Sequence, residues 1–265
     1  MYGRDPFLSL LRLWMSAKAN VSSLAIFIES YLFPFLFGYY AYKSCRFLCL
    51  KYRIILEIVH RIRVGGVHLQ YIGLISDILY SALLMLFNIL IIWALLTRKN
   101  LYEKPEGFLE LFLPLAGTFF YLSYNFLQYI PKKWNIVLVP QNSLLYLSAI
   151  GSFVSVGGLV IACLGTYDLR RSYGVFVQVR QIITERTYRH VRHPIYSGYI
   201  LILIGFLLIV PKCYNFILTV TAIWITILRA IIEEKKLAAF SPGYREYMSR
   251  TPMIFPITLN RKREP

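Results

Sequence analysis

Acidic residues are scarce in this chain of 265 residues: 13 Asp plus Glu stand against 29 Lys plus Arg, a formal net charge of +16, and only 16% of the residues are charged. Cysteine is rarer still. Cys45, Cys49, Cys163 and Cys213 include no C-x-x-C pair, and the first two sit at i,i+4 spacing beside an apolar stretch, so all four read as packing residues and neither a disulfide framework nor a metal site is expected. Internal repeats and low-complexity tracts are lacking. The first residues scatter Arg4, Asp5 and Arg12 among apolar ones and offer no small-residue cleavage site, so no cleaved signal peptide is expected. What is abundant is apolar surface, with 57% hydrophobic residues, 16% aromatic residues and a mean hydropathy of +0.56. Such a chain needs a bilayer as solvent. A charge of +16 in a soluble protein would raise the question of nucleic acid, but here the basic residues lie between apolar runs. Anionic lipid headgroups are therefore the expected partners, and nucleic acid is not.

A membrane-spanning helix takes about 20 mainly apolar residues. Six stretches are candidates: Ser22 to Tyr42, Tyr71 to Leu96, Phe108 to Ile130, Ser143 to Thr166, Ile195 to Val210 and Tyr214 to Ile232. The expected class is an all-α polytopic membrane protein of five or six spans. Only Pro211, Lys212 and Cys213 separate the last two stretches, which must form a tight antiparallel hairpin whose open ends share one side of the membrane. That side carries Arg170, Arg171, Arg180, Arg186, Arg189 and Arg192 before the hairpin and a Lys/Arg-rich tail after it, which the positive-inside rule assigns to the cytoplasm. The segment from Lys43 to Gln70 is also basic and falls on the opposite side if every stretch spans. Ser22 to Tyr42, with Glu29, Pro34 and Gly38, is the weakest span and a candidate for a re-entrant or surface segment.

Chemistry-bearing residues concentrate around the hairpin. The run from Ile183 to Gly198 holds Tyr188, His190, Arg192, His193, Pro194 and Tyr196 at the start of the first hairpin helix. Pro194 suits a first helical turn, which puts His193 at the N-cap, where free backbone N–H groups favour anions. Each residue taken singly also fits a basic membrane anchor or an aromatic belt. The second cluster, Arg229 to Lys236, includes Arg229 and Glu233 four residues apart on one helix face. Arg229 lies deep in an apolar run, where an ionisable group is a functional candidate. Folding the hairpin back brings Arg229 and Glu233 towards Tyr188, His193 and Tyr196.

In this sequence Arg192-His193-Pro194-Ile195-Tyr196-Ser197-Gly198 resembles the RHPxYxG motif of the isoprenylcysteine carboxyl methyltransferase and phospholipid methyltransferase-like membrane enzymes. Arg229 to Glu234 is similar to their RxxxEE, Phe240 to Tyr247 to their FGxxYxxY tail, and Tyr188 to Val191 to the lead-in YRxV. The resemblance runs from about Cys163 to Pro256. Two departures stand out: Arg186 where members have a glycine two residues before the matching tyrosine, and Ser241 for the tail glycine.

The resemblance implies an S-adenosylmethionine-dependent methyltransferase acting on a lipophilic substrate such as a prenylated cysteine carboxylate. The cofactor enters from the cytoplasm and the substrate laterally from the bilayer. It further implies cofactor binding by Arg180, Gln181, Ile182, Ile183, Tyr188, His193, Pro194 and Tyr196, with Glu233 on the cofactor ammonium and Glu234 in support. Arg229, together with Glu233, would be catalytic, orienting the nucleophile. Residues 143–265 then form the methyltransferase core and 1–142 an N-terminal membrane region. Two other readings stay open. An NADPH-dependent sterol or lipid reductase carries a similar motif, but with Asp where this chain has Tyr199. A non-enzymatic transporter or scaffold would require Gly- or Pro-broken helices in matching halves, a pattern that Pro34 and Pro114 alone do not make.

Overall fold

The computed structural model describes residues 22–65, 69–98, 101–126 and 136–256. Among these the fold is helical, and isolated bridges, Glu103 with Val179 and Val137 with Lys212, are its only β pairing. Helix α1 spans Phe33–Gly65, α2 Leu69–Leu96, α3 Phe108–Phe126, α4 Leu144–Leu169, α5 Pro194–Ile209, α6 Cys213–Phe240 and α7 Pro242–Arg250. Four stretches are long and apolar enough to cross a membrane: Ser22–Tyr52, Leu74–Leu96, Gln141–Ser172 and Cys213–Phe240. Phe108–Gly117 and Pro194–Ile209 are shorter apolar helices. The last residues expected in the third stretch, 127–130, lie outside the described residues.

The weakest expected span is a continuous helix. Residues 22–27 lead into a π-helical segment, Ile28–Leu32, which passes directly into α1. Pro34 removes a backbone donor there, and the ladder shifts to wider spacing, with the Phe33 N–H bonding to the Ile28 carbonyl. The proline is thus absorbed without a break, and Glu29 on the widened turn is buried at 1% exposure. The helix is continuous and, from Ser22 to Tyr52, long and apolar enough to cross a membrane. Cys45 and Cys49, expected to pack, are instead exposed on α1, because that helix lays a single face on α2. Cys163 is buried, its thiol 3.7 Å from the Leu83 carbonyl.

Contacts between chain segments define two ends. At one end Ser22 Oγ donates to the Pro105 carbonyl at 2.7 Å, Arg98 meets Glu29, and Glu110 meets Lys236 at 2.7 Å. At the other, Cys213 N–H donates to the Ile136 carbonyl at 3.0 Å and Leu138 N–H to the Pro211 carbonyl at 2.8 Å. The hairpin turn of α5 and α6 sits there, closed by Asn215, whose amide donates to the carbonyls of Phe206 and Val210 at 3.1 and 2.8 Å. Both carbonyls also accept a backbone bond, Phe206 from the Val210 N–H at 2.9 Å and Val210 from the Lys212 N–H at 2.8 Å, so Asn215 adds a second donor to each. Their opposite ends carry the polar clusters.

Helices α4 and α5 form the closest pair, along a stripe of small residues repeating every seventh position. Gly151, Gly158 and Gly165 on α4 face Gly198 and Gly205 on α5, so the two backbones touch. A Cβ on Gly198 would lie 2.5 Å from the Gly158 carbonyl oxygen and 2.8 Å from the Ala162 nitrogen. In an apolar solvent such close packing is a main source of helix affinity. The last glycine of the RHPxYxG run is therefore a packing residue that fixes α5 against α4. Gly198→Ala should lower the unfolding midpoint in detergent, at a cost of about 1–3 kcal/mol from overpacking. Gly157→Ala, with nothing within 4 Å of the added methyl, should leave it unchanged. Equal midpoints for the two variants would show that α4 and α5 are not locked this way.

Candidate active site

The start of α5 is built as its sequence suggests. His193 is the N-cap and Pro194 the first helical residue, buried, with its ring beside Gly165. Ser197 N–H closes the first turn on the His193 carbonyl at 3.0 Å. The chain just before it is stitched to the tail: Arg192 N–H donates to the Pro252 carbonyl and His193 N–H to that of Met253, both at 2.9 Å. Ser197 Oγ adds a donation to the Ile254 carbonyl.

Helix α6 supplies the two carboxylates, and they face different ways. Glu234, 8% exposed, takes a bidentate grip from Arg192, with Nε 2.6 Å from Oε1 and Nη2 3.0 Å from Oε2. His193 Nε2 lies 3.2 Å from the same carboxylate. Arg192 also donates from Nη1 to the carbonyls of Met248 and Thr251 at 2.8 and 2.5 Å. Glu233, 20% exposed, points into the cavity. It accepts from the Tyr196 hydroxyl at 2.5 Å and from Arg229 Nε at 3.2 Å, with His193 Nδ1 at 3.8 Å. Arg229 lies over the Tyr196 ring, 5.1 Å from its centroid, and Tyr196 stacks on His193 at 5.2 Å with a 4° interplanar angle. Arg229 Nη2 donates to the Val175 carbonyl at 2.5 Å. Among the described residues Nη1 of Arg229 has no protein hydrogen bond.

The far wall is the segment from Tyr173 to Ile183. Val175, Phe176, Val177 and Val179 are buried at 2% exposure or less, and Phe176 packs on Phe33 of α1 with ring centroids 5.8 Å apart. Backbone bonds tie this segment to residues 102–110: Val179 N–H to Glu103, Tyr102 N–H to Val179 and Val177 N–H to Glu110. Glu29 anchors it from the first span, accepting from the Val175 N–H at 2.6 Å and from the Gln178 amide at 3.0 Å. Arg98 Nη1, at 2.6 Å, is the acid's ion-pair partner, and Arg180 lies 3.9 Å away.

The tyrosines around the cavity stay neutral. Burial pushes the Tyr188 phenol well above its ordinary range, and the Glu233 carboxylate adds to the push. Tyr173 is raised in the same way, chiefly by burial. Tyr247 is pushed up to about 12 by burial, with Arg192 pulling it back and Glu234 raising it. These side chains can donate hydrogen bonds at neutral pH but cannot serve as general bases. Burial lowers the Arg180 pKa against the pull of Glu29.

One cavity is lined by Arg180, Gln181, Ile182, Ile183, Tyr188, His193, Tyr196, Arg229 and Glu233. Pro194 lies behind its wall, and Glu234 sits one layer back, saturated by Arg192 and His193. Several lining residues were not singled out from sequence. Tyr173, Gln178 and Tyr199 carry no motif, and Tyr199 is an aromatic wall, edge-on to Phe87 at 6.0 Å, where the reductase motif has its Asp. Tyr244 and Tyr247 also line the cavity, and Tyr247 donates to the Tyr188 carbonyl. The tail repeat of tyrosines was the available signal for this last pair.

Comparison with known proteins finds a family match that covers this site in part. Residues 146–240 match the family model of PEMT, phospholipid methyltransferase. No curated protein matches the chain. The matched segment runs from α4 through the hairpin to the end of α6 and includes Arg192 to Gly198 and Arg229 to Glu234, the same motifs that carried the resemblance.

Seen on the backbone, the two departures are unlike. Ser241 is extended, with φ −135° and ψ 120°, so no glycine is needed there. Arg186 has φ 57°, the left-handed region that glycine enters freely and other residues enter at a cost of about 1–2 kcal/mol. Its guanidinium pairs with Asp168 at 3.3 Å, and Asp168 also accepts from the Thr187 N–H at 3.1 Å and hydroxyl at 2.8 Å, which holds the turn. Arg186→Gly should therefore unfold at a midpoint no lower than the native chain. Arg186→Val, β-branched at the same φ, should lose about 1–2 kcal/mol. A valine variant as stable as the glycine one would mean the turn is not held at this φ.

Proposed function

We propose that this protein is an S-adenosylmethionine-dependent methyltransferase whose acceptor is a membrane lipid or lipidated molecule, with a prenylated cysteine carboxylate as the specific candidate. The observation that carries the reading is the Glu233 carboxylate, directed into a cavity walled by aromatic rings and held by Tyr196 and Arg229. Such a group suits an ammonium, and the surrounding Tyr188, Tyr196 and His193 suit a flat, cationic ligand. The residues present fit the cofactor. Glu233 would hold its ammonium, Arg180 to Ile183 would cover it, and Glu234 would act indirectly by keeping Arg192 and His193 in place. When bound, S-adenosylmethionine supplies an already activated methyl group, so the protein needs alignment and dryness more than a strong acid or base.

Arg229 supports an anionic acceptor. With Nε on Glu233 and Nη2 on the Val175 carbonyl, the guanidinium is fixed and Nη1 is left to hold an acceptor oxygen. A carboxylate is deprotonated at neutral pH and needs orientation only. The buried valines of 175–179 exclude water from that side. The exposed Arg170, Arg171 and Arg189 lie at the same end as the cavity, which supports a cytoplasmic site at headgroup depth over anionic lipid.

Binding to the detergent-purified protein tests the reading. S-adenosylmethionine should bind at equilibrium, and Glu233→Gln should weaken it by about 10–100-fold, the worth of a hydrogen bond to a charged group. Binding of NADPH instead would favour the reductase. Arg229→Ala should lower kcat on a farnesylated cysteine by about 100-fold or more while changing cofactor affinity by less than about 10-fold. Should affinity fall as far as turnover, Arg229 belongs to the cofactor's support and not to the acceptor.

A further inference from the structure

We infer that Glu29, in the first span and far outside the matched segment, is a positioning residue that sets the 173–181 wall and, through it, Arg229. The inference rests on the reading of the cavity as a cofactor site. A carboxylate 1% exposed inside an apolar helix is costly unless every lone pair is matched. Here all its neighbours are donors. Oε1 takes the Val175 N–H at 2.6 Å and the Gln178 amide at 3.0 Å; Oε2 takes Arg98 Nη1 at 2.6 Å, with the same amide at 3.1 Å and Arg180 Nη2 at 3.9 Å. Only an acceptor with no hydrogen fits such a set.

Val175 is the link. Its N–H is held by Glu29 and its carbonyl by Arg229 Nη2 at 2.5 Å, and Arg229 in turn holds Glu233 at 3.2 Å. A chain of charge-assisted bonds therefore runs from the first span through one residue of the wall to the two side chains that face the cavity. The π-helical segment Ile28–Leu32 places Glu29 in it. Widened turns of this kind are frequent at functional sites. Arg98, 17% exposed, completes the balance and also donates to Ser30 Oγ.

Glu29→Gln keeps the shape of the side chain but turns one end into a donor facing Arg98 and Gln178. In the full-length detergent-solubilised protein, backbone amides of 173–181 should then exchange with deuterium about 10-fold faster or more, and S-adenosylhomocysteine should bind about 10-fold more weakly or worse. A purely structural acid would behave differently in the double variant Glu29→Gln/Arg98→Gln, which removes the nearer of the two cations that Glu29 balances and leaves Arg180, 3.9 Å away, as the other. That variant should regain most of the unfolding midpoint, and so remains informative if the single variant folds poorly, while its wall amides stay fast and its ligand affinity stays low. Native exchange rates and affinity within about 2-fold in either folded variant would overturn the positioning role. If the native protein binds no S-adenosylhomocysteine, the cofactor reading fails, and exchange in 173–181 alone decides the role of Glu29.

Discussion

The ion pair of Arg192 with Glu234 is the contact on which the rest of the site depends. Both groups are nearly buried, and removing one partner from such a pair typically costs about 3–5 kcal/mol because the other charge is stranded. The pair does more than balance charge. Because Arg192 and His193 occupy Glu234, the next residue back along α6, about 100° around the helix, is the one left to face the cavity. Two adjacent glutamates thereby take different tasks, one holding the motif and one presenting a carboxylate. The same guanidinium binds the carbonyls of Met248 and Thr251, which adds side-chain ties to the backbone bonds from Arg192 and His193 that hold the tail to the lead-in of α5. An arginine is suited to this, since its planar fork can serve a carboxylate and two carbonyls at once.

The depth of that ion pair is fixed by helix packing. The backbone contact between Gly158 and Gly198 sets how far α5 can slide along α4, and at the upper end of the same stripe Gly165 abuts Pro194 and Ile195. The Gly165 carbonyl lies 3.4 Å from the Tyr188 hydroxyl. A one-turn slip would move His193 by about 5.4 Å and separate it from both glutamates. The glycine stripe and the polar cluster are therefore not separate features, since the stripe supplies the register that the polar cluster requires.

What was legible in the sequence follows from distance along the chain. The N-cap at His193, the Arg229–Glu233 pair and the hairpin rest on local spacing, and the structure has each of them. The glycine departure at Arg186 also marked a real position, one with positive φ. Glu29 was visible only as a blemish in a weak span, because its partners are 69 to 149 residues away and nothing periodic links them. In the 173–181 wall only Arg180 and Gln181 were marked, through the resemblance; the rest was silent, because a short apolar run with no helical repeat is compatible with many environments. The π-helical widening that absorbs Pro34 has no sequence signature beyond the proline itself. Residues whose roles depend on long-range charge matching are the ones that spacing cannot reveal.

That matching bears on how the two parts of the chain relate. The segment that matches the phospholipid methyltransferase family, 146–240, carries the motif, the paired glutamates and Arg229. It does not carry what holds the wall opposite them. Glu29 and the 102–110 backbone come from before it, and Lys236, within it, reaches out to Glu110 at 2.7 Å. Buried polar groups must find partners, so a loop that meets an acid from the first span cannot be re-shaped without changing that acid, and the reverse holds as well. The N-terminal helices are then bound to the chemistry by electrostatic necessity as well as by packing, and their sequence is constrained at the few positions, Glu29 and Arg98 above all, where charge is buried.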